Sequence, residues 1–332
     1  MNAPGDPSPF LAPPSAATQP GPLSFGQLLD RVFRLLRANL KSFFGIASPP
    51  AAIIVALYLA MIAVMLSIVN PLHPPNPATV LPKMGLFSVV MLIYELILFL
   101  TFALYQPAGV YAALQADTGV KVTFRQAYAL ALRKAGRYIW LSVLCGLIVM
   151  GPILLLAAIV GGGVALFLVA GKGHTGSDAE FLLFPLLALL YLVTLAYMVV
   201  AMLWVMLACP ACVQENLTAR AAIGRGFRLS RGGKGRMFLL MLVLYAICYA
   251  AVLVLEVVLA IVGSVGLLTG LVLHLAMNPW GYIGIGAAGV CLLAVMFFYM
   301  ACAWSAFCTA FAVLYRDQRL RREGVATAPA NG

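Results

Sequence analysis

The chain has 332 residues, of which 64% are hydrophobic and 9% are charged, and its mean hydropathy is +1.03. Soluble proteins average about 45–50% apolar and about 25% charged residues, so a soluble enzyme or binding domain is excluded and an integral membrane protein is indicated. The net charge of +11 would suggest nucleic acid in a soluble protein. Beside membrane spans, we expect anionic phospholipid headgroups as its partner and no nucleic acid.

The two ends of the chain differ from the rest. Residues 1–22 contain seven prolines and neither a basic residue nor the apolar stretch of a signal peptide. We therefore expect a disordered Pro-rich tail on the cytoplasmic side, and a second disordered tail at residues 324–332. Residues 23–323 are predicted to form one membrane domain.

Six apolar segments of the domain are long enough to cross a bilayer, which takes roughly 20 helical residues. Most of them contain proline or glycine clusters, at which we expect kinks. The predicted spans run from about Phe44–Val69, Leu86–Leu114, Tyr138–Ala170, Phe181–Val213, Phe238–Gly263 and Ile283–Leu314.

Positive charge alternates between the connecting pieces and predicts the orientation. The seven pieces carry 4, 1, 5, 1, 6, 0 and 4 Lys and Arg residues, so 19 of the 21 lie in alternate pieces. Cytoplasmic loops retain such residues and translocated loops lose them. We therefore expect both termini in the cytoplasm, and the protein in the cytoplasmic (inner) membrane of a cell.

The external pieces carry three further expectations. Residues 70–84 contain five prolines and should be extended, whereas residues 171–180 form a short polar loop. Residues 264–278 are apolar but short for a span, so we favour an external or re-entrant helix.

An internal repeat is suggested by what precedes each odd-numbered span. Ser24–Gln27 and Thr123–Gln126 both fit the capping box that starts a helix, and Thr218 keeps only the cap. The fold class predicted is thus all-α, with six transmembrane helices arranged as three parallel repeats (about 24–122, 123–217 and 218–315). Each repeat consists of a cytoplasmic amphipathic helix and a membrane hairpin.

The basic helices are the candidate binding site. In the first, Arg34, Arg37 and Lys41 lie on one face with Arg31 at its edge, and the opposite face is apolar. This pattern favours a helix in the membrane interface, although packing of the apolar face on protein is the alternative. The candidate residues for lipid or partner contact are Arg31, Arg34, Arg37, Lys41, Arg125, Arg133, Lys134, Arg137, Arg220, Arg225, Arg228 and Arg231.

Two carboxyl groups are predicted inside the membrane, Glu95 in span two and Glu256 in span five. An ionised acid at the bilayer centre costs roughly 2.5–3.5 kcal/mol, so such residues often mark a proton or cation pathway. The spans offer few other polar groups, which favours a neutral, hydrogen-bonded acid instead. The two residues, which the topology allows to be neighbours, are the basis of an alternative function as a transporter or channel.

The sequence contains no arrangement of residues typical of an enzyme. The Cys209–Cys212 pair has C-x-x-C spacing but no strand–helix context and no partner pair for zinc. His73, His174 and His274 all fall in external pieces. We therefore predict no catalytic residues, no metal site, no cofactor and no enzymatic activity.

Three stretches resemble one family. The opening LSFGQLLDRVFRLLRANLKSFFGIA, the stretch ENLTARAAIGRGFRLSRG and the closing FAVLYRDQRLRREG resemble bacterial proteins related to the membrane domain of glycerophosphoryl diester phosphodiesterases. The resemblance covers roughly residues 23–324 and implies a multi-span domain of uncharacterised role. The soluble domain that carries the phosphodiesterase activity in full-length members has no counterpart in this sequence, so we do not expect that activity. The expected function is a membrane scaffold or interaction domain that contacts anionic lipid or a membrane protein partner.

Overall fold

A computed structural model describes residues 23–68, 77–169, 177–272 and 279–324. Within these ranges the chain forms helices and no strands. Six helical stretches are long and apolar enough to cross a membrane, which confirms an all-α protein with six candidate spans. The Pro-rich tail, residues 325–332 of the closing tail and the three histidines lie outside the described residues.

Ten helices follow one another in the described ranges. In chain order they are α1 (Phe25–Ala38), α2 (Leu40–Ile68), α3 (Pro77–Asp117), α4 (Phe124–Arg133), α5 (Ala135–Val169), α6 (Ser177–Val205), α7 (Ala208–Gln214), α8 (Ala219–Ser230), α9 (Lys234–Val272) and α10 (Pro279–Glu323).

The fourth span is broken where proline requires it. Pro210 has no N–H to donate to the carbonyl four residues earlier, that of Met206. The chain turns at Met206–Leu207, and α6 ends there while α7 begins at Ala208. Pro49, Pro50 and Pro152, by contrast, lie inside continuous helices.

Two expectations for the external pieces are corrected. Residues 77–84 form the first turns of α3 and are not extended. Residues 264–272 continue α9 as one uninterrupted helix of 39 residues, so they do not form a separate re-entrant helix. Residues 70–76, most of the loop at 171–180, and residues 273–278 lie outside the described ranges.

The short helices α1, α4 and α8 bury the same positions relative to their N-caps. The fourth and eighth residues after Ser24, Thr123 and Thr218 are fully enclosed in all three: Leu28 and Val32, Ala127 and Ala131, Ala222 and Gly226. Ser24 and Gln27 form the predicted capping box, and Gln126 Oε1 accepts from the Thr123 N–H at 3.0 Å. Thr218 occupies the cap without a side-chain hydrogen bond.

The core lies at one end of the bundle, which we call the basic end. The basic end comprises α1, α4, α7, α8, the carboxyl ends of α3 and α10, and the first turns of α2, α5 and α9. Buried Leu28 and Val32 of α1 pack there with Leu240, Leu314 and Tyr315. The apolar face of α1 therefore packs largely on protein, which corrects the expectation that it lies in the membrane interface; Phe33 remains 37% exposed.

Both ends of the described chain meet at the basic end. The Leu23 N–H donates to Asp317 Oδ1 at 2.9 Å, and Arg321 Nη2 donates to the Leu23 carbonyl at 2.7 Å. An even number of candidate spans is consistent with both ends lying on one side, because each hairpin returns the chain to the side it left.

Candidate functional site: the basic end

Four carboxylates at the ends of the even-numbered spans organise the basic end. Asp117 ends α3, Glu215 follows α7, and Asp317 and Glu323 lie in the last turns of α10. Each is bound by at least one arginine. Sequence reasoning missed all four because it counted only cations in these pieces. The available signal was that every even-numbered span ends in an acid.

Asp117 joins α1 to α10. Its side chain is 3% exposed, and its Oδ1 accepts from Arg31 Nε and Nη2, both at 2.7 Å. Its Oδ2 accepts from Arg316. A carboxylate taken out of water requires compensation of this kind, and two guanidinium groups supply it. Arg31, predicted to contact lipid or a partner, is therefore committed to this internal pair.

Arg225 joins α8 to the ends of two spans. Its Nε donates to both Glu215 oxygens at 3.0 Å, and its Nη2 pairs with Glu323. Burial opposes the charge of Arg225, but the hydrogen bonds to Glu215 and Glu323 outweigh it and hold the pKa of the guanidinium above its ordinary value. Glu215 also accepts from the Tyr315 hydroxyl. Arg225 is thus a structural residue.

A neutral contact takes the corresponding place beside α4. Lys134 Nζ and Arg137 Nη1 donate to Asn216 Oδ1 at 2.7 and 2.6 Å. Asn216 has a φ of 52°, a left-handed conformation that Asn tolerates better than most residues. The Asn216 side chain therefore anchors two more of the predicted cations.

Asp317 is fully enclosed. Besides the Leu23 N–H, it accepts from Arg321 Nε at 3.0 Å and pairs with Arg236 Nη2 at 3.5 Å. It therefore holds the start of α9, the end of α10 and the segment before α1 together.

The other eight predicted cations are exposed. Arg34 pairs with Asp30 at 3.7 Å, where both side chains are at least 70% exposed, and Arg231 lies over the Phe227 ring at 4.8 Å. The remaining six have no acidic partner among the described residues: Arg37, Lys41, Arg125, Arg133, Arg220 and Arg228.

The intramembrane acids are not brought together by the packing described. Glu95 and Glu256 both lie on exposed faces of their helices, and neither has an ion pair or hydrogen bond in the described part of the chain. α3 packs chiefly on α2 and α10, whereas α9 packs chiefly on α10 and α6. A hydrogen-bonded acid inside the protein, the interpretation favoured from the sequence, does not describe either residue.

The cysteines of the C-x-x-C pair are buried and free. Cys212 Sγ donates to the Leu217 carbonyl at 3.3 Å, and Cys209 lies in the apolar core. Within the described ranges no three His, Cys, Asp or Glu side chains are grouped so as to hold a metal ion. Packing in the apolar core explains why both positions hold a small apolar side chain such as cysteine.

No protein-family model matches the chain, and neither a curated protein nor a solved structure is significantly similar to it.

Proposed function

We propose that this chain is a non-enzymatic protein of the cytoplasmic membrane, a scaffold or interaction domain that contacts anionic phospholipid headgroups through its basic end. One observation carries the proposal. The acids of the basic end are used in internal pairs, whereas most of its cations face outward. Asp30 is the one well-exposed acid among the described residues there, beside eight exposed candidate cations.

The excess of positive charge on this surface favours an anionic partner. Each Lys or Arg close to an anionic membrane surface contributes roughly 1 kcal/mol of attraction. Arg37 and Lys41 lie where α1 meets α2, which begins at Leu40. Cations at the start of a span are at headgroup depth, so an anionic leaflet is their nearest partner. We propose that the basic end faces the cytoplasmic leaflet. Both termini would then be cytoplasmic, as the alternation of charge along the chain predicts.

We also propose that the domain consists of three repeated units. The shared buried positions of α1, α4 and α8 support this, as do the contacts each makes with its own hairpin. Arg31 of α1 reaches Asp117, Lys134 at the end of α4 reaches Asn216, and Arg225 of α8 reaches Glu323. Arg31 and Arg225 both lie seven residues after their caps. A repeated helix-plus-hairpin explains all of these equivalences.

The family resemblance stays a prediction, and the structure gives its three stretches a common location. The first contributes Arg31, the second Arg225 with Glu215, and the third Arg316, Asp317 and Glu323. All of them take part in the ion pairs of the basic end.

The function is tested by removing three exposed cations of α1 and α2, whose one ion pair in the described ranges, that of Arg34 with Asp30, is itself exposed. We expect Arg34→Gln/Arg37→Gln/Lys41→Gln to lower the preference for phosphatidylglycerol over phosphatidylcholine by about tenfold or more, since three juxtamembrane charges are lost. Native mass spectrometry of the protein from mixed-lipid nanodiscs measures the bound lipids. The charge-conserving Arg34→Lys/Arg37→Lys variant is the control and should retain the preference. An unchanged preference in the glutamine variant would contradict the proposal.

A further inference from the structure

The connection from α8 to α9 contains glycines and cations whose role the contacts described above do not explain. The connection and the first turn of α9, Arg231–Arg236, have the sequence RGGKGR. Gly232 has a φ of +80°, and the Gly233 N–H closes a turn onto the Ser230 carbonyl at 3.3 Å. The loop therefore reverses the chain within a few residues, and α9 begins at Lys234.

The first turn of α9 presents backbone donors. Its first helical hydrogen bond runs from the Met237 N–H to the Gly233 carbonyl at 3.0 Å. The N–H groups of Lys234, Gly235 and Arg236 precede that bond and have no acceptor in the described part of the chain. Free N–H groups at the positive end of a helix dipole attract anions.

A buried side chain supplies an independent sign of a ligand. Gln318 is only 3% exposed, and its Nε2 has no hydrogen-bond partner among the described residues. Its amide points at the loop: Oε1 and Nε2 lie 2.7 and 2.9 Å from the position that a Cβ on Gly233 would take. Arg236 Nε, two residues into the turn, is also buried and has no partner within the described ranges. Buried donors of this kind ordinarily have an acceptor.

The charge around the loop is strongly positive. Arg231, Lys234, Arg236, Arg321 and Arg322 lie in or beside it, and Arg322 Nη2 is 3.1 Å from the Cβ position of Gly232. In the part of the chain that the structure describes, the one acid that pairs with this group is Asp317, which binds Arg236 and Arg321. Five cations against one carboxylate leave an excess of about four positive charges in a small volume.

We propose that the first turn of α9 binds a terminal phosphate group. Three backbone donors, a buried amide and several cations match the oxygens and double negative charge of a phosphomonoester better than they match a phosphodiester. Where that phosphate is a lipid headgroup, the site rests on the proposed function and adds a specific position to the general attraction of α1. A soluble phosphate is the other source of the same chemistry.

The test compares two double variants with equal loss of charge. Lys234→Gln/Arg322→Gln removes cations at the loop, whereas Arg133→Gln/Arg220→Gln removes exposed cations from α4 and α8. Each protein is placed in phosphatidylcholine nanodiscs containing phosphatidic acid or phosphatidylglycerol, and bound lipid is counted by native mass spectrometry. In a second arm, melting in detergent is followed as inorganic phosphate is added.

We expect a preference for phosphatidic acid over phosphatidylglycerol that falls at least tenfold in the loop variant and less than twofold in its control. Stabilisation by inorganic phosphate with the same sensitivity would support the site and assign it a soluble source. Equal effects of the two variants would overturn the site, as would the absence of any response to phosphatidic acid and phosphate. The phosphatidylglycerol preference carried by α1 is measured separately, so either proposal can fail alone.

A third variant guards against loss of structure. Gln318→Glu keeps the shape of the side chain but places a negative charge against the loop. It should abolish the preference for phosphatidic acid over phosphatidylglycerol while the protein stays monodisperse with a melting transition in phosphate-free buffer. A retained preference in this variant would also overturn the proposal.

Discussion

Asp117 shows how one residue fixes the basic end. It is almost wholly enclosed and receives both Arg31 and Arg316. Removing its charge leaves two guanidinium groups without their acceptor in a partly dehydrated site. Removing the carboxylate is therefore expected to cost more stability than its ion pairs contribute on balance.

The Asp117→Asn variant should consequently lower the free energy of unfolding by about 2–3 kcal/mol, as measured by chemical denaturation in detergent. Asp30→Asn is its matched control, because the pair of Asp30 with Arg34 is exposed and worth at most about 1 kcal/mol. Equal stability of the two variants would show that Asp117 does not hold α1 to α10.

Substitutions of Glu95 and Glu256 distinguish the scaffold hypothesis from the transporter hypothesis. Neither has a partner in the described part of the chain, so a scaffold should tolerate Glu95→Gln and Glu256→Gln with unchanged lipid preference. The amide removes an ionisable group from the bilayer, and expression should be equal or higher. Proton-linked flux in reconstituted vesicles that disappears with either change would instead establish the transporter alternative.

Among the elements, α8 depends on one close approach. Gly226 faces the break in span four, where a Cβ would lie 2.9 Å from the Trp204 carbonyl oxygen and 3.0 Å from the Ala208 nitrogen. Both atoms belong to the backbone, so they cannot move aside as a flexible side chain would. The turn before Pro210 and the glycine of α8 therefore fit each other.

Gly226→Ala should destabilise the protein by about 1–3 kcal/mol through this overlap. Gly224→Ala, in the same helix with open space around it, should be neutral or stabilise by up to about 1 kcal/mol. Thermal unfolding monitored by the fluorescence of Trp204 and the other tryptophans compares them. The reverse order of stability would mean that α8 does not pack on the break.

Helix boundaries were predictable where a physical signal was local. The capping residues at Ser24 and Thr123 fixed the starts of α1 and α4, and Pro210 indicated the break in span four. Asp117, the partner of Arg31, lies 86 residues away in sequence, and Glu323, one of the two partners of Arg225, lies 98 residues away. Periodicity within one helix carries no information about such contacts, which is why these arginines were expected to face lipid.

For the whole molecule, the number of candidate spans was predictable from hydropathy, whereas the contacts between the two ends of the described chain were not. The proposed phosphate site was not predictable either, because its donors come from the start of α9 and from a residue of α10. Gln318 carries no signal in the sequence, and its role depends on α10 placing it against Gly233.

The orientation of the whole molecule is tested by labelling. We expect Arg228→Cys, on an exposed position of α8, to react with a membrane-impermeant thiol reagent only in inverted vesicles. His174→Cys, in the predicted second external loop, is the control and should react only in intact cells. Labelling of the native cysteines is measured in the protein without either substitution and subtracted. Labelling of position 228 from outside the cell would invert the topology.

The bonds between Leu23 and the α10 residues Asp317 and Arg321 impose an order on biosynthesis. Leu23 can form these bonds only after Asp317 and Arg321, at the end of the sixth candidate span, have been made. Until then, Arg236 and the amino end of the chain lack the carboxylate that binds them both. A chain whose synthesis has not reached residue 317 can therefore hold α1 through the pair of Arg31 with Asp117, but it lacks the bonds that fix the segment before α1.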